Sequence, residues 1–340
     1  MEDQQRIQKF LYEFSSRLSK KFEKDLDFIL LFGSAARGEW KKGISDVDLI
    51  IQVKSQNKIE DISKEAEKIF WELDRKYKTE LRKVCSIGNN KDFLKRALRE
   101  TRLYVPFEVF GPEDIDWVHG KINKKELWLG ARLVAPESML FLKMKSEGKI
   151  LYGRDIRKEI QVKRNLWEKL KALFIPFYVA LTSVFVALFA PKTALKMADK
   201  SVIYSIESFL YFLDKPVGRG IHPTFKEFRK ELKNTTKIKY NMIDAVEIDF
   251  LLSTDYKKKS DFVKKAIEIK YNWQRKHKKF NRLGVLKFCW QSVLFTNTMN
   301  WQAILRADKN KIILKTIIIL RTVLLIMLLV WIICCLGKFI

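Results

Sequence analysis

Sulfur and imidazole are scarce in this chain. Its 340 residues hold four cysteines and three histidines. Cys85, Cys289, Cys334 and Cys335 show no C-x-x-C spacing, which argues against both a zinc site and a disulfide framework. His119, His222 and His277 stand apart from one another and read as surface or capping residues rather than ligands. The opening MEDQQRIQK is polar, so no secretory leader is expected and the N-terminal half is assigned to the cytosol. Acidic residues are also thin, and unevenly so. Lys plus Arg number 66 against 40 Asp plus Glu; residues 1–160 carry 33 and 27, residues 161–340 carry 33 and 13. The basic second half would attract phosphate, in nucleic acid or in an anionic membrane leaflet. Lys-rich solvated faces are the plainer reading of the same charge. No base-stacking motif stands out, and Trp167, Tyr178 and Phe185 suit a membrane or a core.

What the chain does carry is LFGSAARGEWKKGISDVDLII, from Leu31 to Ile51. It reads as a strand, Gly33-Ser34, a short helix, and a second strand bearing Asp46 and Asp48. Carboxylates two apart on a strand point to one side, because side chains alternate across the pleat. Side by side they repel unless a cation lies between them. Mg²⁺ prefers such oxygens and commonly shares itself with substrate phosphates. Gly33 permits close backbone approach, and Ser34 opens a helix whose free N–H groups favour an anion such as a triphosphate. A metal site and a phosphate site are therefore predicted next to each other.

The pattern hydrophobic-Gly-Ser, Arg-Gly, then Ser-Asp-x-Asp-hydrophobic resembles the nucleotidyltransferase superfamily, which includes DNA polymerase beta, kanamycin nucleotidyltransferase and the minimal nucleotidyltransferases of prokaryotes. Eleven residues separate Ser34 from Asp46, within that family's spacing. The resemblance covers roughly residues 25–115. It implies an α/β (α+β) domain with a small mixed sheet and Mg²⁺-dependent transfer of a nucleoside monophosphate from an NTP to an acceptor. It also implies a two-metal site of Asp46, Asp48 and a third carboxylate on a neighbouring strand. Glu108, central in the apolar VPFEVF, fits that place; Glu80 is a rival that precedes its strand. Gly33 and Ser34 would cradle phosphates. Arg37 would either neutralise the triphosphate or serve structure. Glu113, Asp114 and Asp116 are expected to cap a following helix. The acceptor is not legible: RNA ends, proteins and small molecules all occur in the superfamily. A binding-only, antitoxin-like module on the same fold is the alternative.

Around these motifs the periodicity predicts helices over 3–24, 58–77, 91–100 and 136–146, and strands over 27–32, 47–53, 81–87 and 105–110. Tyr152 and Arg154, in a segment that closes the catalytic domain of the resembling enzymes, are taken as packing or turn residues. The nucleotidyltransferase domain is placed at 1–160. An all-α, membrane-associated region is expected from 161 on. Residues 173–190 are eighteen positions without a charge, interrupted by Pro176, and read equally as a span or a buried helix. Amphipathic and Lys-rich helices are predicted over 200–213, 223–233 and 243–280. The Arg, four-to-six residues, His pattern of HEPN-type ribonucleases is not evident. Residues 316–337 hold a single charge, Arg321, and read as a C-terminal transmembrane helix. The expected location is a membrane, with the catalytic domain facing the cytoplasm and anionic lipid, RNA or a protein acceptor as partners.

Overall fold

Helix α1, Glu2–Phe22, places Ile7, Phe10, Leu11, Phe14 and Leu18 on one stripe, and all five are buried. This is a computed structural model in which residues 2–40, 45–81, 107–125, 135–217 and 282–306 are described, with a few isolated positions besides. The described chain divides into two compact units. One comprises Met1–Lys171 with Pro216–Thr224; the other comprises Ala172–Lys215 with Phe225–Ile340.

The first unit is built on a four-stranded mixed sheet in the order β3-β2-β1-β6. Strand β1 is Leu26–Phe32, β2 is Asp48–Val53, β3 is Phe107–Phe110 and β6 is Lys149–Gly153. Strand β1 runs antiparallel to β2 and to β6, while β2 and β3 are parallel. The strand DFILLF has no polar alternation because both of its faces are covered. Ile29, Leu31, Leu49, Ile51 and Val109 face α1 and α3, Ile59–Tyr77. Phe28, Leu30, Ile50 and Phe110 face a second core layer. Phe70 of α3 anchors the first layer, with its ring 5.0 Å from Phe10 and 5.7 Å from Phe107. Trp117 anchors the second, 5.2 Å from Phe28 and 5.4 Å from Phe141 of helix α4, Glu137–Glu147. A five-residue helix α2, Gly33–Arg37, joins β1 toward β2.

Two expectations change. Glu113, Asp114 and Asp116 do not cap a helix; a two-stranded hairpin follows, β4 at Ile115–Asp116 and β5 at Lys121–Ile122. Asp114 instead caps a turn, accepting the Gly111 N–H at 2.8 Å and the Gln56 amide at 3.1 Å. Asp116 accepts the His119 N–H at 3.0 Å, and that bond, foremost, holds its carboxyl below the ordinary range. Residues 149–153, not read as a strand, form the sheet edge beside β1. Arg154 there pairs with Asp27 at 2.8 Å and with Glu159, and Tyr152 packs on the core, so both are structural as expected. Of the strand predicted over 81–87 only Leu81 is described; the helices predicted over 91–100 and 243–280 lie outside the described residues, as do all of 223–233 but 226–228 and all of 316–337 but Thr316 and Ile319.

The second unit contains helix α5 from Ala172 onward (the helix is Leu166–Phe189), α6 at Pro191–Phe212 and α7 at Arg282–Leu305. The last was not predicted, since its apolar residues run all round it rather than along one stripe. Helices α6 and α7 lie along each other. Phe177, Ala180 and Val293 pack α5 against α7. Small hydroxyl residues line the interior: Ser183, Ser201, Ser205, Ser292 and Thr296 are buried. Large apolar residues face outward, among them Tyr178, Phe185, Leu188 and Phe189 on α5 and Trp290 and Leu294 on α7.

Candidate active site

The register of the sheet decides which side chains can meet. In the parallel pair β2–β3, Ile50 stands beside Glu108. Asp48 is two residues before Ile50, so Asp48 and Glu108 lie on one face of adjacent strands. One strand across and two residues along puts their Cα atoms about 8 Å apart, within reach of two carboxylates converging on one ion. That face is the one carrying Phe28, Leu30, Ile50 and Phe110. Both acids are half-buried at its edge. Asp46 sits just before β2 and is also half-buried.

Gly33 closes the site from the β1 side. Phe32 is the register partner of Asp48, so the turn that follows β1 passes directly over that carboxylate. Gly33 has φ +75°, a conformation that L side chains rarely adopt. A Cβ there would fall on Asp48 Oδ2 and come within 3.3 Å of its Cγ. Glycine is thus required twice, for the turn and for the acid. Ser34 follows, half-buried, and its carbonyl accepts the Glu39 N–H at 2.9 Å. Gly38 ends α2 in the left-handed region at φ +77°.

Arg37 is engaged. Its Nε donates to Glu39 at 2.8 Å and its Nη1 to Glu147 at 2.8 Å, with the Glu147 side chain only 3% exposed. Burial works against its charge, yet Glu147 and Glu39 outweigh burial and hold its pKa above the ordinary value. Of the two readings of Arg37, the structural one has the visible partners. Glu80 is likewise occupied, with Lys42 Nζ at 3.4 Å.

Sequence reasoning missed Lys124. It follows β5, and its ammonium donates to Glu108 Oε1 at 2.5 Å and to the Val109 carbonyl at 3.2 Å, lying 5.0 Å from the Phe110 ring centroid. Only the rule that a buried carboxylate needs a cation pointed toward it.

Among the described residues, no three His, Cys, Asp or Glu side chains stand together as a metal cage. Mg²⁺ does not demand one, since it is bound by one or two carboxylates together with water and substrate phosphate. The donors here suit it: hard oxygens on one sheet face, with backbone held close by a glycine that no other residue replaces without collision.

Residues 11–105 match the family model of a nucleotidyltransferase domain. The match takes in Gly33, Ser34, Asp46 and Asp48, and Glu108 lies just past its end. It supports nucleotidyl transfer as the general function and the nucleotidyltransferase superfamily as the source of this domain. No curated protein and no solved structure matches the chain at a significant level.

Proposed function

We propose that the first unit transfers a nucleoside monophosphate from an NTP to an acceptor hydroxyl and releases pyrophosphate. The observation that supports this reading is the placement of Asp48 and Glu108 on one face of adjacent strands, with Gly33 packed over Asp48, inside or beside the matched domain. Asp46, Asp48 and Glu108 are the residues that would hold Mg²⁺. Bound there, the metal supplies charge neutralisation of the triphosphate and polarises the phosphoryl oxygens. Gly33 and Ser34 hold the outgoing phosphates through backbone N–H and hydroxyl. Glu108 accepts the proton of the acceptor hydroxyl as its oxygen bonds to the α-phosphorus. The bond from that phosphorus to the bridging oxygen breaks, and the electron pair leaves with pyrophosphate.

The location belongs to the same proposal. Residues 172–190 of the sequence carry no charge and would span about 28 Å as a helix, close to the hydrocarbon thickness of a bilayer. Helix α5 is long and apolar enough to cross a membrane. Polar small residues inward and aromatic and aliphatic residues outward are the arrangement expected of helices in lipid. With 316–337 as a second apolar segment, the catalytic domain would work at a cytoplasmic membrane face, the basic second half against anionic headgroups.

The test is incubation of purified protein in detergent with Mg²⁺ and each α-³²P-labelled NTP, beside the Asp46→Ala/Asp48→Ala double variant. Label transfer and pyrophosphate release that the variant abolishes are expected. Equal turnover by the variant would sink the proposal. Flotation with vesicles containing phosphatidylserine reads the membrane part independently. A second reading, nucleotide binding without transfer, is favoured by one observation: Lys124 already neutralises Glu108. Nucleotide and Mg²⁺ binding with no labelled product from any acceptor would select it.

A further inference from the structure

We infer that Lys124 is a built-in cation for the third carboxylate, holding Glu108 in the nucleotide-free site and competing there with a divalent ion. The inference rests on the nucleotidyltransferase reading above and says how its metal site is regulated.

The position of Lys124 is fixed from its root. Its backbone N–H donates to the Asp114 carbonyl at 3.1 Å, as that of Asn123 does at 2.7 Å. Asp114 is itself clamped by its carboxylate to Gly111 and Gln56. The ammonium itself lies 5.0 Å from the Phe110 ring centroid, one residue beyond the Val109 carbonyl that it also meets. The side chain is 13% exposed and that of Glu108 is 24% exposed. A hydrogen-bonded, partly desolvated ion pair of this kind is far from a loose surface contact.

Two cations cannot share one carboxylate at this range without repulsion that low dielectric strengthens. A divalent ion drawn toward Glu108 is therefore held more weakly while the ammonium stays, and more tightly once it moves away. Without nucleotide, Lys124 supplies the charge that Glu108 needs. With nucleotide, the triphosphate brings both a metal and four negative charges, and the ammonium has a new anion to meet. The geometry thus delays full metal loading until substrate arrives.

The test is Mn²⁺ binding to the full chain without nucleotide, followed by the loss of the free-ion signal in electron paramagnetic resonance. Removal of the charge with the packing retained, Lys124→Met, is expected to tighten Mn²⁺ binding at a Glu108-dependent site by about tenfold or more, the direction that Coulomb repulsion between cations dictates. Lys124→Gln, the second neutral variant, should show the same gain. Lys124→Arg keeps the charge and should bind as the unaltered protein does. Adding Glu108→Gln to Lys124→Met should erase the gain. Unchanged Mn²⁺ affinity and stoichiometry in both neutral variants, with binding still lost in Asp46→Ala/Asp48→Ala, would overturn the inference and leave the metal reading standing. Absence of Mn²⁺ binding in every form would overturn both.

Discussion

Alanine at Gly33 tests the site against an internal control, alanine at Gly38. The two glycines sit five residues apart with nearly equal φ, +75° and +77°. An L residue held in that region costs about 1–2 kcal/mol, so each substitution carries the same backbone strain. Their surroundings differ. A Cβ at Gly38 meets nothing within 4 Å, whereas one at Gly33 collides with the Asp48 carboxylate. Asp48 leads into β2 through a register that also fixes Phe32, so its backbone cannot yield and its side chain must turn away. A displacement of about 1 Å at a reacting centre costs on the order of a hundredfold in rate, or roughly 2.7 kcal/mol in the barrier. Urea unfolding should therefore show both variants weakened to a similar degree. Pyrophosphate release should fall on the order of a hundredfold for Gly33→Ala alone. Equal activity of the two variants, in either direction, would refute the argument that Gly33 exists to seat Asp48.

Other outcomes follow from the same packing and charges. Lys171 is buried with Glu168 at 2.6 Å and Glu137 at 3.9 Å, so Lys171→Met should cost about 3–5 kcal/mol by leaving buried carboxylates without their cation; a cycle with Glu168→Gln should recover part of it, and a loss within surface range would refute the burial of the pair. Phe70→Ala removes the ring between α1, α3 and β3 and should cost about 3–5 kcal/mol in a denaturant titration. Hydrogen bonds from Lys76 and then Tyr77 hold the Glu13 carboxyl below its ordinary value of 4.5. A depressed carboxylate stabilises the fold above its unfolded pKa and loses that contribution as pH falls through the folded one. Glu13→Gln should then flatten the decline in stability below pH 4.5, at a neutral-pH cost of about 1 kcal/mol or less because the pair is near the surface.

Much of the first unit was legible because its signals are local. Strand β1 holds an unbroken apolar run from Phe28 to Phe32, as a strand covered on both faces does. The α1 and α3 stripes recur at helical spacing, and both helices form within two residues of the predicted bounds. Asp46 and Asp48 were singled out by their parity together with the resemblance, and Glu108 by its place in an apolar strand where the resemblance implies a third carboxylate. The β4–β5 hairpin was not legible. Its strands are two residues long, too short for a period, and its acidic turn imitates a helix start. Helix α7 was hidden for the opposite reason: it is apolar on nearly every side, with Asn297 and Asn300 inside it, so no stripe announces it.

The same division governs the charges. Spacing along the chain can say that a carboxylate needs a cation, because that need is a property of its burial. It cannot say which cation answers, because the partner is set by what the fold brings across. Arg37 reaches Glu147, 110 positions away, and Glu108 reaches Lys124 through a hairpin the periodicity could not see. From the sequence, a metal was the natural partner for Glu108 and a triphosphate one candidate partner for Arg37. In the fold each has a side-chain partner of opposite sign. With Lys124 on Glu108, the third carboxylate adds no bare charge beside Asp48 in the absence of substrate. The pair also makes the exchange of Lys124 for a divalent ion the step on which the third carboxylate's chemistry depends.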